Sequence, residues 1–153
     1  MSTYHATVDW RLDDGDFAAR RYSRVHTLEF RGGLAVPGAP GTGHVPERYS
    51  REDAMDPESA FTGALSACHM LWFLDIAARA GFVVGAYRDE ALGTMETDAE
   101  GKMSMTRVVL RPKIDFIGER RPTPQELDHL HHRAHEECFI ANSVKSEVVV
   151  ESR

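Results

Sequence analysis

The chain has 153 residues, of which 42% are hydrophobic and 27% are charged, a composition typical of a soluble globular protein. We expect a single domain over residues 1–153. The net charge of −6 argues against nucleic acid or an anionic membrane as the main partner. The first ten residues, MSTYHATVDW, have neither the positive charge nor the apolar run of a signal peptide, so we expect a cytoplasmic protein. Two cysteines are too few for a disulfide framework and fit free thiols, a transient redox pair or part of a metal site.

The N-terminal part of the chain predicts a β-hairpin. Residues 4–12 (YHATVDWRL) and 22–30 (YSRVHTLEF) roughly alternate apolar and polar side chains, and a DDGD turn lies at residues 13–16. In the second strand, Arg24 shares a face with Tyr22 and other partly apolar side chains. Arg24 therefore either points toward an apolar region or lies flat along a solvent-facing edge.

A long central helix is predicted over residues 56–82, DPESAFTGALSACHMLWFLDIAARAGF. Asp56 is suited to cap its first turn, Pro57 to open it, and Gly81 to end it in a left-handed conformation. Its central turns have almost no polar face, so we expect burial on nearly all sides in a soluble protein. Cys68 lies in the middle of this helix.

The remaining segments predict strands and connections. Residues 32–51 hold most of the glycine and proline, so we expect a long loop without regular structure that shapes the mouth of a pocket. One or two strands, broken near Asp89, are expected over residues 82–97. A turn at 98–102 and a long strand at 103–116 follow, with Pro112 marking a bulge or an edge. A final strand covers residues 144–150.

A second helix is marked by a capping box, in which Thr123 precedes Glu126 by three residues and Pro124 takes the first helical position. Apolar residues then recur at spacings of three and four and end at Cys138, so this cysteine should face the core. The stripe consists of Leu127, Leu130, Ala134 and Cys138. The resulting order, β-β-α-β-β-β-α-β, indicates an α+β domain with a mostly antiparallel sheet.

The two cysteines lie on apolar helix faces, so packing of the helices could bring their sulfurs together. Two buried core cysteines are one interpretation, because buried free cysteine is common. A zinc site is another, since His131 and His135 have the i, i+4 spacing of ligand pairs near Cys138. A Ser-His-Asp hydrolase is disfavoured because the chain has no nucleophile elbow.

The predicted central helix begins with DPE at residues 56–58, contains SACHM at 66–70 and ends with GF at 81–82. This pattern resembles the central-helix motif of the OsmC/Ohr family of peroxide-reducing proteins. A second cysteine late in a second helix, followed by a closing strand, is also similar. The resemblance implies an OsmC-like α+β fold, with two long helices packed within the antiparallel sheets of an intertwined homodimer. It further implies thiol-dependent reduction of organic hydroperoxides, with Cys68 attacking the peroxide and Cys138 resolving to a disulfide. An external dithiol would reduce that disulfide, and no cofactor or metal is expected.

The implied chemistry needs a cation near Cys68, because an apolar mid-helix environment disfavours the thiolate that attacks a peroxide. Arg24 is the candidate, with Arg20 and Arg21 as alternatives, since a guanidinium stays charged when partly desolvated. A buried arginine needs a carboxylate, and Glu58 could supply it, although it could also only complement the helix dipole.

Apolar walls are expected to favour alkyl or fatty-acid hydroperoxides over H₂O₂; they comprise Phe61, Met70, Trp72 and Phe139. The competing hypothesis is a non-enzymatic protein that binds an apolar, lipid-like ligand on the same fold, with both cysteines as core residues. Because one flank of the central helix would stay exposed in a single chain, we also expect an obligate dimer. In it, Arg24 of one chain reaches the Cys68 of the other.

Overall fold

The computed structural model describes residues 1–41 and 43–151. The chain divides into two compact units: the first unit is Met1–Ala60 and the second unit is Phe61–Arg153. The expectation of a single domain therefore stays a prediction. In chain order the strands and helices are β1 Ala6–Asp9, β2 His26–Phe30, β3 Ala35–Gly38, α1 Pro57–Arg79, β4 Val84–Asp89, β5 Leu92–Thr97, β6 Met103–Leu110, β7 Pro112–Phe116, α2 Pro124–Glu137 and β8 Glu147–Val150.

The first unit contains a three-stranded antiparallel sheet in the order β1-β2-β3. The predicted hairpin is confirmed by the pairing of β1 with β2, but both strands are shorter than expected. Arg24 precedes β2, because its backbone N–H donates to the carbonyl of Tyr49 at 2.9 Å and not to β1. The indole N–H of Trp10 likewise donates to the Ser23 carbonyl at 2.8 Å. Because of these two hydrogen bonds, the segment before His26 does not pair with β1.

The expectation that residues 32–51 hold no regular element is wrong, since β3 lies within them. Val36 pairs with Leu28, and Pro37 pairs with Thr27. Proline is tolerated here because β3 is a short outer strand of its sheet, where a missing N–H costs little. Residue 42 of the predicted loop lies outside the described residues.

Helix α1 has the predicted caps. The Asp56 carboxylate accepts the Ser59 N–H at 2.8 Å, and Gly81 follows the helix with φ of +81°. The helix is long and apolar enough to cross a membrane by length and composition alone. However, Leu65 packs against Val108 and Leu110 of β6, as expected for a core helix of a soluble protein.

Burial of α1 on nearly all sides is wrong for the single chain. Its buried side chains form one stripe, because α2 and the sheets of the second unit cover only one face: Thr62, Leu65, His69, Phe73 and Ala77. Another face is exposed and consists of small or aliphatic residues, among them Gly63, Ala64, Ala67 and Leu71. Leu71 is 63% exposed.

The second unit contains two small sheets. Strands β4 and β7 pair antiparallel, and β5-β6-β8 form the other sheet, in which β8 runs parallel to β6. The predicted break near Asp89 is confirmed, and the expected long strand at 103–116 is divided at Arg111. The Asp89 carboxylate links the ends of these strands to α1. It accepts the Arg111 N–H, between β6 and β7, at 2.6 Å and the hydroxyl of Ser66 in α1 at 2.5 Å.

Helix α2 begins with the predicted capping box. The Thr123 hydroxyl accepts the Glu126 N–H at 3.2 Å, and the Glu126 carboxylate accepts the Thr123 N–H at 2.9 Å. Leu130 and Ala134 face the core that α1 also enters; this cluster contains Phe73, Ala77, Phe82, Leu130 and Ala134. The two helices therefore meet along the predicted stripe of α2 and the buried stripe of α1.

Candidate functional site

The two cysteines meet inside the second unit. Cys68 is half-buried in the middle of α1, Cys138 is 1% exposed directly after α2, and both are free thiols. Their side chains are within hydrogen-bonding contact of each other. The arrangement brings together the two residues on which a dithiol chemistry depends.

Cys138 is held as a neutral thiol. Burial raises its pKa to about 11, and the hydrogen bond with the Cys68 side chain acts in the same direction. The Ala141 N–H, which points at the Cys138 sulfur at 3.4 Å, opposes the shift. At neutral pH Cys138 is therefore protonated, whereas a thiolate is the reactive form of a peroxide-reducing cysteine.

Beside Cys68 in the sequence, His69 is buried against His131 of α2. They are 1% and 4% exposed, and their Nε2 and Nδ1 atoms are 3.1 Å apart. The outer nitrogens, Nδ1 of His69 and Nε2 of His131, have no hydrogen-bond partner within the described part of the chain. Burial lowers the pKa of His69 to about 3 and that of His131 to about 4. Sequence analysis did not single out this pair.

The zinc hypothesis finds no site among residues 1–41 and 43–151, where no group of three or more potential ligands could hold a metal ion. The reason is that His131 points inward to His69, while the neighbouring His132 forms a surface pair with Glu136 at 3.2 Å.

The expected arginine lies in the first unit. Arg24 is half-buried, and its Nη1 and Nη2 groups donate to the carbonyls of Tyr22 at 2.7 Å and Arg20 at 3.3 Å. Its guanidinium carbon lies 4.0 Å from the centre of the Tyr22 ring, a cation–π geometry. Of the two alternatives, Arg20 is exposed and Arg21 pairs with Asp16 at 3.0 Å on the surface.

A cavity of about 570 Å³ in the first unit is lined by Arg24 and Glu58. Only Arg24 of the three candidate arginines lines it. The activating role of Arg24 on Cys68 and its pairing with Glu58 stay predictions. Tyr22 and His26 line the cavity with Arg24, with which the sequence predicts a shared face, and His44 comes from the segment 32–51 that was expected to shape a pocket. The sequence pattern does not single out Val8, Trp10 and Phe17, although Phe17 directly follows the DDGD turn.

The apolar walls expected from the sequence lie in the second unit. Trp72 and Phe139 make an edge-to-face contact with centres 5.3 Å apart, and Phe61 packs on the core around Leu65. Phe139 is largely exposed. Whether these side chains contact a substrate stays a prediction.

The second unit is an α+β structure in which two helices pack together against mostly antiparallel strands. It holds two free cysteines, one within α1 and one directly after α2, so the protein is an α+β protein with a candidate dithiol site. The sequence matches the OsmC-like protein family over residues 50–153, so the chain belongs to the OsmC-like family. No curated protein matches the chain.

Solved structures agree with this assignment. An OsmC-like protein of unknown function from Vibrio cholerae is 47% identical, with a TM-score of 0.97 and full coverage of both chains. The organic hydroperoxide resistance protein OhrB of Bacillus subtilis is 15% identical, with a TM-score of 0.70, covering 99% of this chain and 98% of that one. An organic hydroperoxide resistance protein from Elizabethkingia anophelis is 19% identical, with a TM-score of 0.68 and coverage of 99% and 94%. The last two similarities show the fold.

Proposed function

We propose that the protein is a cytoplasmic, thiol-dependent reductase of organic hydroperoxides that works through the dithiol of Cys68 and Cys138. The observation that carries the proposal is that the half-buried Cys68 lies close enough to the buried Cys138 to raise the pKa of its thiol. The family and the names of the Bacillus subtilis and Elizabethkingia anophelis proteins of the same fold support the substrate class.

The reaction has three balanced steps. The Cys68 thiolate attacks one peroxide oxygen, the O–O bond breaks, and the alkoxide takes up the thiol's proton to leave as an alcohol. Cys68 is then a sulfenic acid. Cys138 attacks its sulfur, an S–S bond forms, and the hydroxyl leaves with the Cys138 proton as water. An external dithiol reduces the disulfide by thiol exchange and is itself oxidised.

Arg24 and Glu58 are proposed as the groups that favour the Cys68 thiolate. Support comes from the cavity of the first unit, which both residues line, and from the surface position of the alternative arginines. A guanidinium keeps its charge in such a partly apolar place, and a carboxylate can orient it. Replacement of Arg24 by alanine is therefore expected to abolish measurable peroxide-driven thiol oxidation and leave the fold intact.

A homodimer is proposed because one face of α1 is apolar and uncovered in the single chain. Gly63, Ala64, Ala67 and Leu71 lie on it, and a second copy related by a two-fold axis would cover it with the same surface. Full burial of a leucine contributes about 1.5–3 kcal/mol, so Leu71→Glu should weaken the dimer. Sedimentation of the unaltered protein as a monomer at micromolar concentration would rule the dimer out.

A shared active site is tested by mixing two inactive variants, Cys68→Ser and Arg24→Ala, unfolded and refolded together. If Arg24 serves the Cys68 of the other chain, a mixed dimer carries both lesions in one site and none in the other, and activity returns. If both residues serve the same chain, each site keeps one lesion and the mixture stays inactive.

The peroxidase proposal is tested by counting free thiols before and after one equivalent of cumene hydroperoxide. The unaltered protein should lose both thiols together and yield one equivalent of alcohol. Cys68→Ser should consume no peroxide. Cys138→Ser should consume about one equivalent and stop at a sulfenic or over-oxidised Cys68. The opposite behaviour of the two variants would exchange the assigned roles.

A second candidate function is non-enzymatic binding of an apolar ligand, favoured by the largely apolar cavity of the first unit. A binding protein of this kind should keep both thiols in the same titration, even with excess peroxide. Retention of both thiols by the folded, reduced protein would exclude the reductase.

A further inference from the structure

The cavity in the first unit has an aromatic wall, formed by the mutually contacting rings of Trp10, Phe17 and Tyr22. The rings of Phe17 and Tyr22 stack with centres 4.7 Å apart and planes inclined by 24°. Trp10 meets Tyr22 edge-on at 5.5 Å and Phe17 at 6.0 Å. All three rings line the cavity. A ligand inside it can therefore contact aromatic side chains.

The backbone holds this wall in place. Asp16 and Arg21 exchange two backbone hydrogen bonds of 2.9 Å, and the Asp16 carboxylate accepts the Ala19 N–H at 3.0 Å. Gly15 allows the turn to lie against the next segment, since a Cβ there would be 2.7 Å from the Cα of Tyr22. The tight turn fixes Phe17 with 55% of its surface exposed. Aromatic side chains are common in the lining of ligand pockets.

Polar side chains also line this largely apolar cavity: Arg24, His26, His44 and Glu58. The Arg24 guanidinium contacts the same Tyr22 ring that Phe17 stacks on, so a cation lies next to the aromatic wall. A ligand that fits this lining has an aryl group and a small hydrogen-bonding group.

We propose that the cavity selects hydroperoxides that carry an aryl group, with Phe17 and Trp10 as the residues that determine this preference. The aryl ring lies against the wall, and the peroxide end lies toward Arg24 and Glu58. That the ligand is a hydroperoxide rests on the proposed function, whereas the preference of the cavity for an aryl group does not. Aromatic rings attract each other beyond their shared area, enough to change an affinity roughly 2- to 12-fold.

The preference is measured with two unreactive alcohols on the full-length, unaltered protein. They are 2-phenyl-2-propanol and 2-cyclohexyl-2-propanol, which share a carbon skeleton and differ in aromaticity. Dissociation constants come from chemical-shift titrations. The aryl alcohol should bind more tightly, roughly 2- to 12-fold, although the saturated ring is the more hydrophobic of the two. Equal or tighter binding of the cyclohexyl compound, or no binding of either, overturns the inference.

Phe17→Leu locates the effect, because leucine keeps an apolar side chain and removes the ring. In this variant the ratio of the dissociation constants of the cyclohexyl and phenyl alcohols should fall to near one. It should persist in the control Tyr4→Leu, which removes a 90% exposed aromatic residue outside the cavity lining. An unchanged preference in Phe17→Leu overturns the assignment. So does a change in its sedimentation behaviour with no change in preference, since the wall would then be an interface between copies.

Peroxide consumption separates this inference from the proposed function. If the protein oxidises its thiols with tert-butyl hydroperoxide but shows no aryl preference, the reductase stands and the inference fails. If the aryl alcohol binds preferentially but no peroxide removes the thiols, the cavity assignment stands and the reductase fails.

Discussion

The buried pair of His69 and His131 should make the protein unusually sensitive to mild acid. In the unfolded chain both imidazoles have a pKa near 6.5, whereas in the folded chain the values are about 3 and about 4. Burial is the main cause for both; the charges of His131 and His135 add to it for His69, while Asp128 and Asp89 oppose it for His131. Between about pH 4 and pH 6.5 the unfolded state therefore binds more protons than the folded state. The free energy of unfolding falls as the pH decreases through 6.5.

The size of the loss follows from these values. Each pH unit within the window changes stability by about 1.4 kcal/mol for each histidine. Between pH 7 and pH 5 the loss is about 2 kcal/mol for each, or about 4 kcal/mol for the pair. Carboxylates such as Asp16 and Asp56, whose pKa values are lowered in the folded chain, have ordinary pKa values near 4, so their contribution to stability is lost only at lower pH. The window between pH 7 and pH 5 therefore reports on the histidines.

The assay is urea unfolding followed by circular dichroism at pH 7 and pH 5, at one protein concentration and with reductant present. With a urea slope of about 1–3 kcal/mol/M, the midpoint should fall by more than about 1 M. The double variant His69→Gln/His131→Gln should lose most of this pH dependence, whatever its absolute stability. The exposed control His129→Gln should keep it. A midpoint that is equal at the two pH values in the unaltered protein would refute the reasoning.

Three further predictions concern single residues. Thr123→Ala should lower the free energy of unfolding by about 1 kcal/mol, because α2 loses its capping box, and Thr123→Ser should restore it; equal thermal midpoints would contradict this. Gly15→Ala should cost about 1–3 kcal/mol and change the near-ultraviolet circular dichroism of the Trp10 and Tyr22 rings, since the added Cβ must displace backbone; an unchanged spectrum would count against the described turn. The Cys138 thiol should ionise near pH 11 when thiolate absorbance at 240 nm is followed by pH titration, and a transition assigned to it near pH 8.5 would show that its burial is wrong.

The meeting of the two cysteines could be predicted because helix periodicity fixes which side chains share a face. Leu127, Leu130, Ala134 and Cys138 form one stripe of α2, and capping signals at Asp56 and Thr123 set both helix starts. Because α1 is apolar around its central turns, the stripe of α2 can pack against it and bring Cys138 near Cys68 without any knowledge of the strands. The break at Asp89 was predictable for a similar reason, since local composition interrupts the strand pattern.

Other features depend on contacts that the pattern does not contain. Arg24 leaves the predicted strand because its N–H donates to the carbonyl of Tyr49, about two dozen residues away at the end of the single-turn 3-10 helix Glu47–Tyr49. His69 is a polar residue in an apolar helix, and only its position opposite His131 makes it a buried pair. The aromatic wall around Phe17 required a turn whose geometry depends on the close approach that Gly15 allows.

The exposed face of α1 shows why a pattern can be read correctly and still misjudge a single chain. Its sequence predicts apolar surroundings on nearly every side, and the second unit provides them on one stripe, from Thr62 to Ala77. Leu71 and the small residues Gly63, Ala64 and Ala67 remain outside that stripe. Small residues allow two helices to approach closely, whereas a solvent-facing helix normally carries charges there. The proposed dimer would supply the missing surroundings, and its loss in Leu71→Glu would leave this apolar face exposed to solvent.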